Sequence, residues 1–194
     1  MTRKRTWTNR FAGHAVVLAC TLVVTSLAVH AQTQPPVQPI ATLDVPRYMG
    51  TWFEIAKFPN LFQRRCVSDT RAVYTLQADN SVQVLNRCRT ADGSSIEALG
   101  RAQQVGPGTS PILKVRFAPE WLSWLPLVWG DYWVIDLDAD YQLAAVSDAR
   151  REYLWILSRG THVAPEVYNA LVRRLQAQGF DTTQLQPTTH SHTP

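Results

Sequence analysis

The sequence has few of the residues that reaction chemistry requires. Its 194 residues include three cysteines and five histidines, and no histidine falls within a predicted strand. It shows no glycine-rich phosphate-binding loop, no pattern of alternating strands and helices, and no internal repeat. Catalysis needs a nucleophile, a base and their supporting groups in one constellation. The pattern therefore predicts neither an enzyme nor a cofactor.

The N-terminal segment has the pattern of a secretory signal peptide. The first ten residues carry four basic and no acidic side chains, an apolar run follows over residues 11–29, and Ala31 is a small residue at the expected cleavage point. We therefore assign residues 1–31 to a signal peptide that directs export. Two alternatives stay open: the apolar run is retained as a membrane anchor, or Cys20 is acylated as in a lipoprotein.

The charge of the exported chain is balanced. The full sequence has 19 Lys and Arg against 15 Asp and Glu. Four of the basic residues lie within residues 1–31, so 15 basic and 15 acidic side chains remain after cleavage. Nucleic-acid-binding domains carry a basic patch and a high pI. The mature chain therefore gives no support for a nucleic-acid partner.

Cleavage leaves two cysteines, Cys66 and Cys88, and cysteines of an exported chain are expected to pair. No histidine pattern accompanies them, so a metal site is not predicted. A hairpin with its turn near Asp79 places Thr70 opposite Cys88. Cys66 then lies ~13 Å away along a straight strand, beyond the roughly 7 Å between Cα atoms that a disulfide allows. The bond requires a bend after Cys66 or a bulge in the hairpin.

Most of the chain between its ends shows the two-residue period of β-strands. Residues 32–44 are rich in proline and are predicted to form an extended leader that does not pack, and residues 187–194 a solvated polar tail. Short strands separated by turn residues indicate a sandwich or a closed barrel. Eight strands are predicted, over Thr51 to Phe58, Thr70 to Gln77, Ser81 to Arg89, Ser95 to Gln103, Ile112 to Phe117, Tyr132 to Leu137, Leu143 to Ser147 and Tyr153 to Ser158.

One helix is predicted after the last strand. Pro165 suits the first helical position, and Gly179 suits the position beyond the last turn. Side chains or one small ligand already fill the interior of an eight-stranded barrel, so the helix is expected to pack on the outside wall. Its apolar stripe comprises Val167, Leu171, Val172 and Leu175.

Two motifs resemble those of the lipocalin family. The segment GTWFEIA at residues 50–56 resembles the family signature G-x-W-[YF]-E-[IV]-A and opens the first strand. The segment YLWILSR at residues 153–159 resembles the last-strand motif that ends in arginine. Residues 132–141 are similar to the approach to the family's second motif. LDADY stands where T-D-Y is usual, which leaves the geometry of that turn open. The resemblance is strongest to the bacterial outer-membrane lipocalins and the apolipoprotein D-like branch.

The resemblance implies an all-β fold for residues 45–186. This fold is an eight-stranded antiparallel up-and-down β-barrel, or calyx, with one C-terminal α-helix packed outside. The resemblance also implies that Trp52 plugs one end of the barrel, that Arg159 lies across the Trp52 ring, and that Gly50 lets the incoming chain pass close beneath. A guanidinium over an indole ring contributes roughly 0.5–2 kcal/mol. These three residues are predicted to be structural.

If Trp52 points inward, alternation along the first strand places Glu54 and Ala56 on the inner face as well. On the following strands the alternate positions that are mostly apolar are assigned to the inner face. The inner set contains several alanines, which favour a cavity over an interior filled by side chains. We expect a mostly apolar pocket with a few polar groups, in which Glu54 is a hydrogen-bonded carboxyl and not an acid catalyst. The predicted ligand-binding residues are Glu54, Ala56, Ala72, Tyr74, Val84, Asn86, Ala98, Leu113, Val115, Tyr132, Val134 and Trp155.

The loop WLSWLPLVW at residues 121–129 is too apolar for an ordinary surface loop. Because connections in an up-and-down barrel alternate between its ends, residues 59–67, 90–94, 118–130 and 148–152 are all predicted at the mouth. The loop serves either as a lid over the mouth or as a contact for a membrane or partner, and tryptophan favours the membrane interface. The predicted mouth residues are Phe58, Phe62, Trp121, Trp124 and Leu125.

The resemblance implies non-enzymatic binding and transport or storage of a fatty-acid- or lysophospholipid-like ligand in the bacterial cell envelope, at the periplasm or outer membrane. Peripheral membrane contact and a homodimer are further expectations. Two other functions stay open. A lipocalin-type enzyme acting on a lipid requires the catalytic set that the sequence lacks. A protein-binding module that uses the tryptophan-rich loop would form a stable complex or dimer instead of taking up lipid.

Overall fold

A computed structural model describes residues 34–119, 122–123, 125 and 128–191. The predicted signal peptide and Cys20 lie outside these residues. The helices are α1 (Val45–Tyr48) and α2 (Pro165–Ala177), with a 3₁₀ turn over Thr182–Gln184. The β-strands are β1 (Gly50–Lys57), β2 (Ser68–Leu76), β3 (Val82–Arg89), β4 (Ser95–Gln104), β5 (Ile112–Arg116), β6 (Trp129–Leu137), β7 (Leu143–Ser147), β8 (Leu154–Ser158) and β9 (Gln186–Pro187).

Strands β2 to β8 pair in chain order, and β1 closes the ring by pairing with both β2 and β8. All these pairs are antiparallel; Trp52 lies opposite Ala72 on β2, and Glu54 lies opposite Leu157 on β8. Closure removes the unpaired edges that an open sheet would expose. The predicted eight-stranded up-and-down barrel is confirmed, with strand ends that differ from the predicted ones by a few residues.

The β2–β3 turn shows how local sequence directs the chain at the closed end. The backbone N–H of Gln77 donates to the carbonyl of Ser81, and Asp79 Oδ1 accepts from the Ser81 N–H at 3.1 Å. Asn80 has a φ of 62°, a left-handed conformation that asparagine tolerates better than most residues. The strands therefore reverse at the residues that the sequence pattern indicated.

Helix α2 packs on the outside of the barrel, as predicted. Leu171 and Leu175 are fully buried in a cluster formed with outward-facing residues of β1 and β6 to β8, and Val172 packs against that cluster. The predicted stripe is wrong at Val167, which is 47% exposed, because Tyr168 occupies the apolar face instead. Positions 168, 171, 172 and 175 follow the helical repeat, whereas position 167 lies beside it. In the described part of the chain, no helix has the length and apolar character needed to cross a membrane.

The proline-rich leader packs against the barrel, contrary to the prediction. Val37 and Leu43 are 3% and 1% exposed. The backbone N–H of Ile40 donates to the carbonyl of Val134 at 2.9 Å, and that of Leu43 donates to the carbonyl of Thr109 at 2.8 Å. The described part of the leader is extended, but its apolar side chains belong to the cores inside the barrel and beneath α2.

The C-terminal tail is also attached to the barrel, so the prediction of a solvated end is wrong for residues 187–191. β9 pairs with the mouth end of β1. The His190 Nε2 donates to the carbonyl oxygen of Glu54 at 2.7 Å, and its ring packs edge-on against Phe53 with centroids 5.7 Å apart. The backbone N–H of Ser191 donates to Asp69 Oδ1 at 2.7 Å. The tail thus forms part of the wall at the mouth.

Candidate functional site

The closed end of the barrel is sealed by Trp52, whose side chain is fully buried. The Arg159 guanidinium carbon lies 3.9 Å from the centroid of the Trp52 ring. Arg159 Nη1 donates to the carbonyl oxygen of Thr51 at 2.9 Å, and Arg159 Nη2 donates to that of Tyr48 at 3.2 Å. Gly50 has a φ of +94°, and a Cβ there would lie 3.3 Å from Arg159 Nη1. A side chain at position 50 would strain the backbone and crowd the guanidinium. The contact of Arg159 with the Trp52 ring is the one that the motif resemblance implied, whereas the close neighbour of Gly50 is the Arg159 guanidinium and not the incoming chain.

Three tyrosines form the floor of the interior next to Trp52. The rings of Tyr48, from α1, and Trp52 lie 4.8 Å apart between centroids. The hydroxyl of Tyr132 lies 3.0 Å from that of Tyr48 and 3.0 Å from that of Tyr74. Burial raises the pKa of Tyr74 to about 12 and raises those of Tyr48 and Tyr132 well above the usual tyrosine pKa. All three phenols therefore stay neutral at physiological pH.

A cavity of about 750 Å³ lies within the barrel and includes the three tyrosines in its wall. This volume falls in the range of small-molecule sites. Small side chains in its wall, such as Ala72 and Ala102, leave space that larger residues would fill. Ten of the twelve predicted binding residues line it: Glu54, Ala72, Tyr74, Val84, Asn86, Ala98, Leu113, Val115, Tyr132 and Trp155.

The other two predicted binding residues do not line the cavity. Between Glu54 and Ala56 the pairing of β1 with β8 slips by one residue, so the alternation of inner and outer positions is interrupted there. Ala56 therefore packs in the outer cluster with α2. Val134 is fully buried in the cluster that contains Trp52, where it contributes to the packed closed end. Alternation along a strand predicts which face a residue occupies but not its depth in the barrel.

Glu54 lies in the cavity wall with both carboxylate oxygens engaged. Its Oε1 accepts from Lys57 Nζ at 2.9 Å and Thr188 Oγ1 at 2.5 Å, and its Oε2 accepts from Gln63 Nε2 at 2.5 Å. The Gln63 Oε1 in turn accepts from Trp155 Nε1 at 2.9 Å. The carboxylate thus links β1 to the loop over residues 59–67, through Gln63, and to the C-terminal tail, through Thr188. Sequence analysis missed Gln63 and Thr188, because neither falls within a periodic pattern.

The mouth carries exposed apolar side chains beside the cavity. Leu61 and Phe62 are 80% and 76% exposed, and the Phe62 ring lies 5.6 Å from that of Tyr153. Phe62 also lines the cavity. The prediction that Phe58 belongs to this rim is wrong. Phe58 is buried in the outer cluster, where its ring lies 6.4 Å from that of Phe180, because the interrupted alternation of β1 turns it outward beneath the C-terminal segment.

The tryptophan-rich loop is described in part. Trp121 and Trp124 lie outside the described residues, so their predicted place at the mouth stays a prediction. Leu125 is half-buried, and its backbone N–H donates to the carbonyl oxygen of Leu122 at 2.9 Å. This bond indicates a local turn within the loop.

The disulfide between Cys66 and Cys88 is confirmed, with Cα atoms 5.5 Å apart. The pairing of β2 with β3 slips between Ser68 and Arg71, and Asp69 between them has a φ of 54°. This irregularity is a bulge in the hairpin, one of the two features predicted to bring Cys66 within bonding distance of Cys88. A disulfide that closes a loop of this length contributes roughly 3 kcal/mol in the chain-entropy account. The bond joins the first mouth loop, which covers residues 59–67, to β3 in the barrel wall.

The cavity wall offers groups that can bind a ligand. No three or more His, Cys, Asp or Glu side chains of the described chain lie together in a way that would hold a metal ion. Thr70 Oγ1 is buried without a hydrogen-bond partner among the described residues and lines the cavity. The wall combines apolar side chains with a few hydroxyl, amide and carboxylate groups, which suits retention of a mainly apolar ligand.

Comparisons with known proteins agree with this architecture. Residues 43–190 match the family model described as a lipocalin-like domain. Temperature-induced lipocalin-1 of Arabidopsis thaliana is 42% identical over 154 residues, which cover 78% of this chain and 82% of the relative. The outer membrane lipoprotein Blc of Escherichia coli K12 is 34% identical over 171 residues, which cover 87% of this chain and 92% of the relative. Apolipoprotein D of Macaca fascicularis is 30% identical over 169 residues and 84% of each chain.

Solved structures support the fold independently. Insecticyanin from the tobacco hornworm Manduca sexta superposes with a TM-score of 0.64 at 17% identity, over 82% of this chain and 87% of that protein. The barrel, its sealed end and its cavity thus occur together with a family match over most of the chain. This chain belongs to the lipocalin family, whose members bind and carry small hydrophobic ligands and are generally not enzymes.

Proposed function

We propose that this lipocalin binds and carries a fatty-acid- or lysophospholipid-like lipid in the cell envelope. The observation that carries the proposal is the cavity of about 750 Å³ inside the barrel, with Ala, Val, Leu and aromatic side chains in its wall. Each methylene group that an acyl chain buries against such a wall contributes about 0.8 kcal/mol. The mouth leaves a polar headgroup in contact with water.

Three features support an exported location. Residues 1–31 have the pattern of a signal peptide. The Cys66–Cys88 disulfide suits an oxidising compartment. The relatives named Blc are outer membrane lipoproteins by name. We therefore place this chain in the periplasm or at the outer membrane, where the exposed Leu61 and Phe62 would touch the lipid surface. A homodimer stays a prediction, which sedimentation analysis would test.

The hydrogen bonds made by Glu54 favour a binding protein over an enzyme. An acid–base catalyst must exchange a proton with its substrate, whereas Lys57, Gln63 and Thr188 donate hydrogen bonds to both oxygens of Glu54 and hold the carboxylate in the wall. We therefore assign Glu54 to the support of the wall and propose that the protein is not an enzyme.

Analysis of the co-purifying lipid tests this function. The mature chain would be purified from an envelope extract without detergent, extracted with organic solvent, and its lipids identified by mass spectrometry. An unrelated exported protein purified in the same way is the control. We expect long-chain fatty acid or lysophospholipid near one molecule per chain, absent from the control. A water-soluble compound, or a stable protein complex without lipid, would contradict the proposal.

A further inference from the structure

The floor of the cavity is polar, although an acyl chain ends in an apolar methyl group. The hydroxyls of Tyr48, Tyr132 and Tyr74 form a chain with two contacts of 3.0 Å, and Tyr132 lies in the middle. All three residues line the cavity. Tyr48 and Tyr74 are each more than nine-tenths buried. A ligand that fills the cavity therefore meets hydroxyl groups at its deep end.

The two hydrogen bonds within this cluster leave one hydroxyl hydrogen without an acceptor in the cluster. Each tyrosine hydroxyl carries one hydrogen, and the cluster contains three hydroxyls but two hydrogen bonds. Whichever way the hydrogens point, one of them has no acceptor among the described residues. A buried hydroxyl without an acceptor is unfavourable, so the cluster favours any ligand that brings an oxygen to this point.

The surroundings indicate that this oxygen is neutral. Burial raises the pKa of all three phenols, which keeps them as neutral donors. The nearby guanidinium of Arg159 is already stacked on Trp52 and donates to backbone carbonyl groups. A carboxylate at the floor would lose its hydration without gaining a free cation as partner. A hydroxyl or carbonyl group meets the same donor without that loss.

We propose that the tyrosine cluster binds a neutral oxygen at the far end of the acyl chain. The preferred ligand is then an oxygenated lipid such as an ω-hydroxy or ω-oxo fatty acid, or a lysophospholipid that carries such a chain. The inference rests on the proposed function, because it assumes that an acyl chain enters the cavity with its headgroup at the mouth. It adds a polar subsite at the floor and a ligand class that the apolar wall alone does not indicate.

Matched pairs of ligands test this subsite. Palmitate and ω-hydroxypalmitate differ by one terminal oxygen, and shorter and longer pairs allow for the depth of the cavity. We expect calorimetric titration of the wild-type protein to show about tenfold tighter binding of the ω-hydroxy acid at the best chain length. An isomer with its hydroxyl at mid-chain, against the apolar wall, should bind more weakly than the ω-hydroxy acid. The corresponding ω-dicarboxylate should also bind more weakly.

A variant assigns the preference to the floor. The triple substitution Tyr48→Phe, Tyr74→Phe and Tyr132→Phe removes all three hydroxyls and retains the rings. Any single substitution would still leave an unpaired hydrogen. The triple variant should bind the plain acid at least as tightly as wild type and lose the preference for the ω-hydroxy acid. The control Tyr168→Phe lies on the outer helix and should retain the preference.

The titrations distinguish failure of the polar subsite from failure of the proposed lipid-binding function. Equal binding of the paired acids by the wild type, as expected if water satisfies the free donor, would overturn the inference and leave the proposed function standing. A preference that survives in the folded triple variant would also overturn it. If the triple variant does not fold, the ranking of ω-hydroxy, mid-chain and plain acids by the wild type decides alone. Failure of every acid to bind would contradict the proposed function and this subsite together.

Discussion

Thr188 donates a hydrogen bond of 2.5 Å to the carboxylate of Glu54, and this bond joins the C-terminal segment to the first strand across 134 positions of the sequence. The pairing of β1 with β2 ends at Phe53. Beyond that point β9 lies beside β1, and the backbone N–H of Asp69 on β2 donates to the carbonyl of Thr189 at 2.9 Å. The end of the chain thus fills a gap in the barrel wall at the mouth.

Loss of the Thr188 hydroxyl should destabilise the barrel. Thr188→Val retains the shape of the side chain but leaves the buried Glu54 carboxylate with one donor fewer. We expect the free energy of unfolding in urea to fall by roughly 1–3 kcal/mol. Thr189→Val is the control, because the Thr189 side chain is exposed; it should change stability by less than about 0.5 kcal/mol. Equal effects of the two substitutions would show that the Thr188–Glu54 bond does not stabilise the wall.

Asp69 should make the attachment of the tail depend on pH. Burial raises the pKa of Asp69, but hydrogen bonds from Ser191 and Ser68 and the charge of Arg89 together lower it below its usual value of 3.8. The folded state therefore favours the ionised carboxylate, whose contribution is complete above pH 3.8 and is lost as the pH falls through the lower folded-state pKa. The difference in unfolding free energy between wild type and Asp69→Asn should be constant near neutral pH and shrink in acid. A difference that stays constant down to about pH 2 would contradict this role.

The stabilisation provided by Arg159 should depend on its planar guanidinium and not only on its positive charge. Arg159→Lys removes the fork that donates to the carbonyls of Thr51 and Tyr48 and weakens the contact with the Trp52 ring. We expect a loss of about 2 kcal/mol in unfolding free energy, measured by urea titration. The same substitution at the exposed Arg173 on α2 is the control and should have little effect. Comparable losses at both positions would argue against a special role for the guanidinium at position 159.

The exposed residues at the mouth should promote contact with lipid surfaces. Replacing both Leu61 and Phe62 with serine removes two exposed apolar side chains. Sedimentation with phospholipid vesicles should show a partition coefficient at least about tenfold lower than that of wild type. Leu99→Ser is the control, because Leu99 is 60% exposed on β4 and away from the first mouth loop. An unchanged partition coefficient in the folded double variant would exclude this surface from membrane contact.

Local patterns in the sequence predict the barrel well, because its strands alternate between an apolar interior and the outside. The apolar parity of β2 to β4 assigns Tyr74, Asn86 and Ala98 to the interior, and these residues line the cavity. The family motifs imply the contact of Arg159 with Trp52. Each of these predictions depends on a regular strand or on a motif of a few neighbouring residues.

The errors have a common physical origin in irregular and long-range contacts. The shift in the β1–β8 pairing between Glu54 and Ala56 interrupts the alternation of inner and outer residues. The sequence at these positions contains no pattern that predicts the shift. Val37 is an isolated apolar residue among prolines and polar residues, and it is buried because other parts of the chain form a place for it beneath α2. Thr188 joins the wall through an equally distant contact. Such packing depends on the assembled barrel and cannot be read from neighbouring residues.

Two neighbouring residues of β4 allow a direct test of whether lipid binds inside the barrel. Ala98 lines the cavity, whereas Leu99 is 60% exposed. Ala98→Trp adds an indole ring to the cavity, and Leu99→Trp places the same side chain at the outward-facing position of the strand. Circular dichroism would establish that both variants are folded.

The measurement is calorimetric titration of wild type and the two variants with palmitoyl lysophospholipid below its micelle concentration. We predict saturable one-to-one binding by wild type and by Leu99→Trp, and binding at least about tenfold weaker by Ala98→Trp, because the indole occupies the space of the acyl chain. Absence of saturable binding by the wild type, or equal affinity in all three proteins, would show that lipid does not bind inside the barrel.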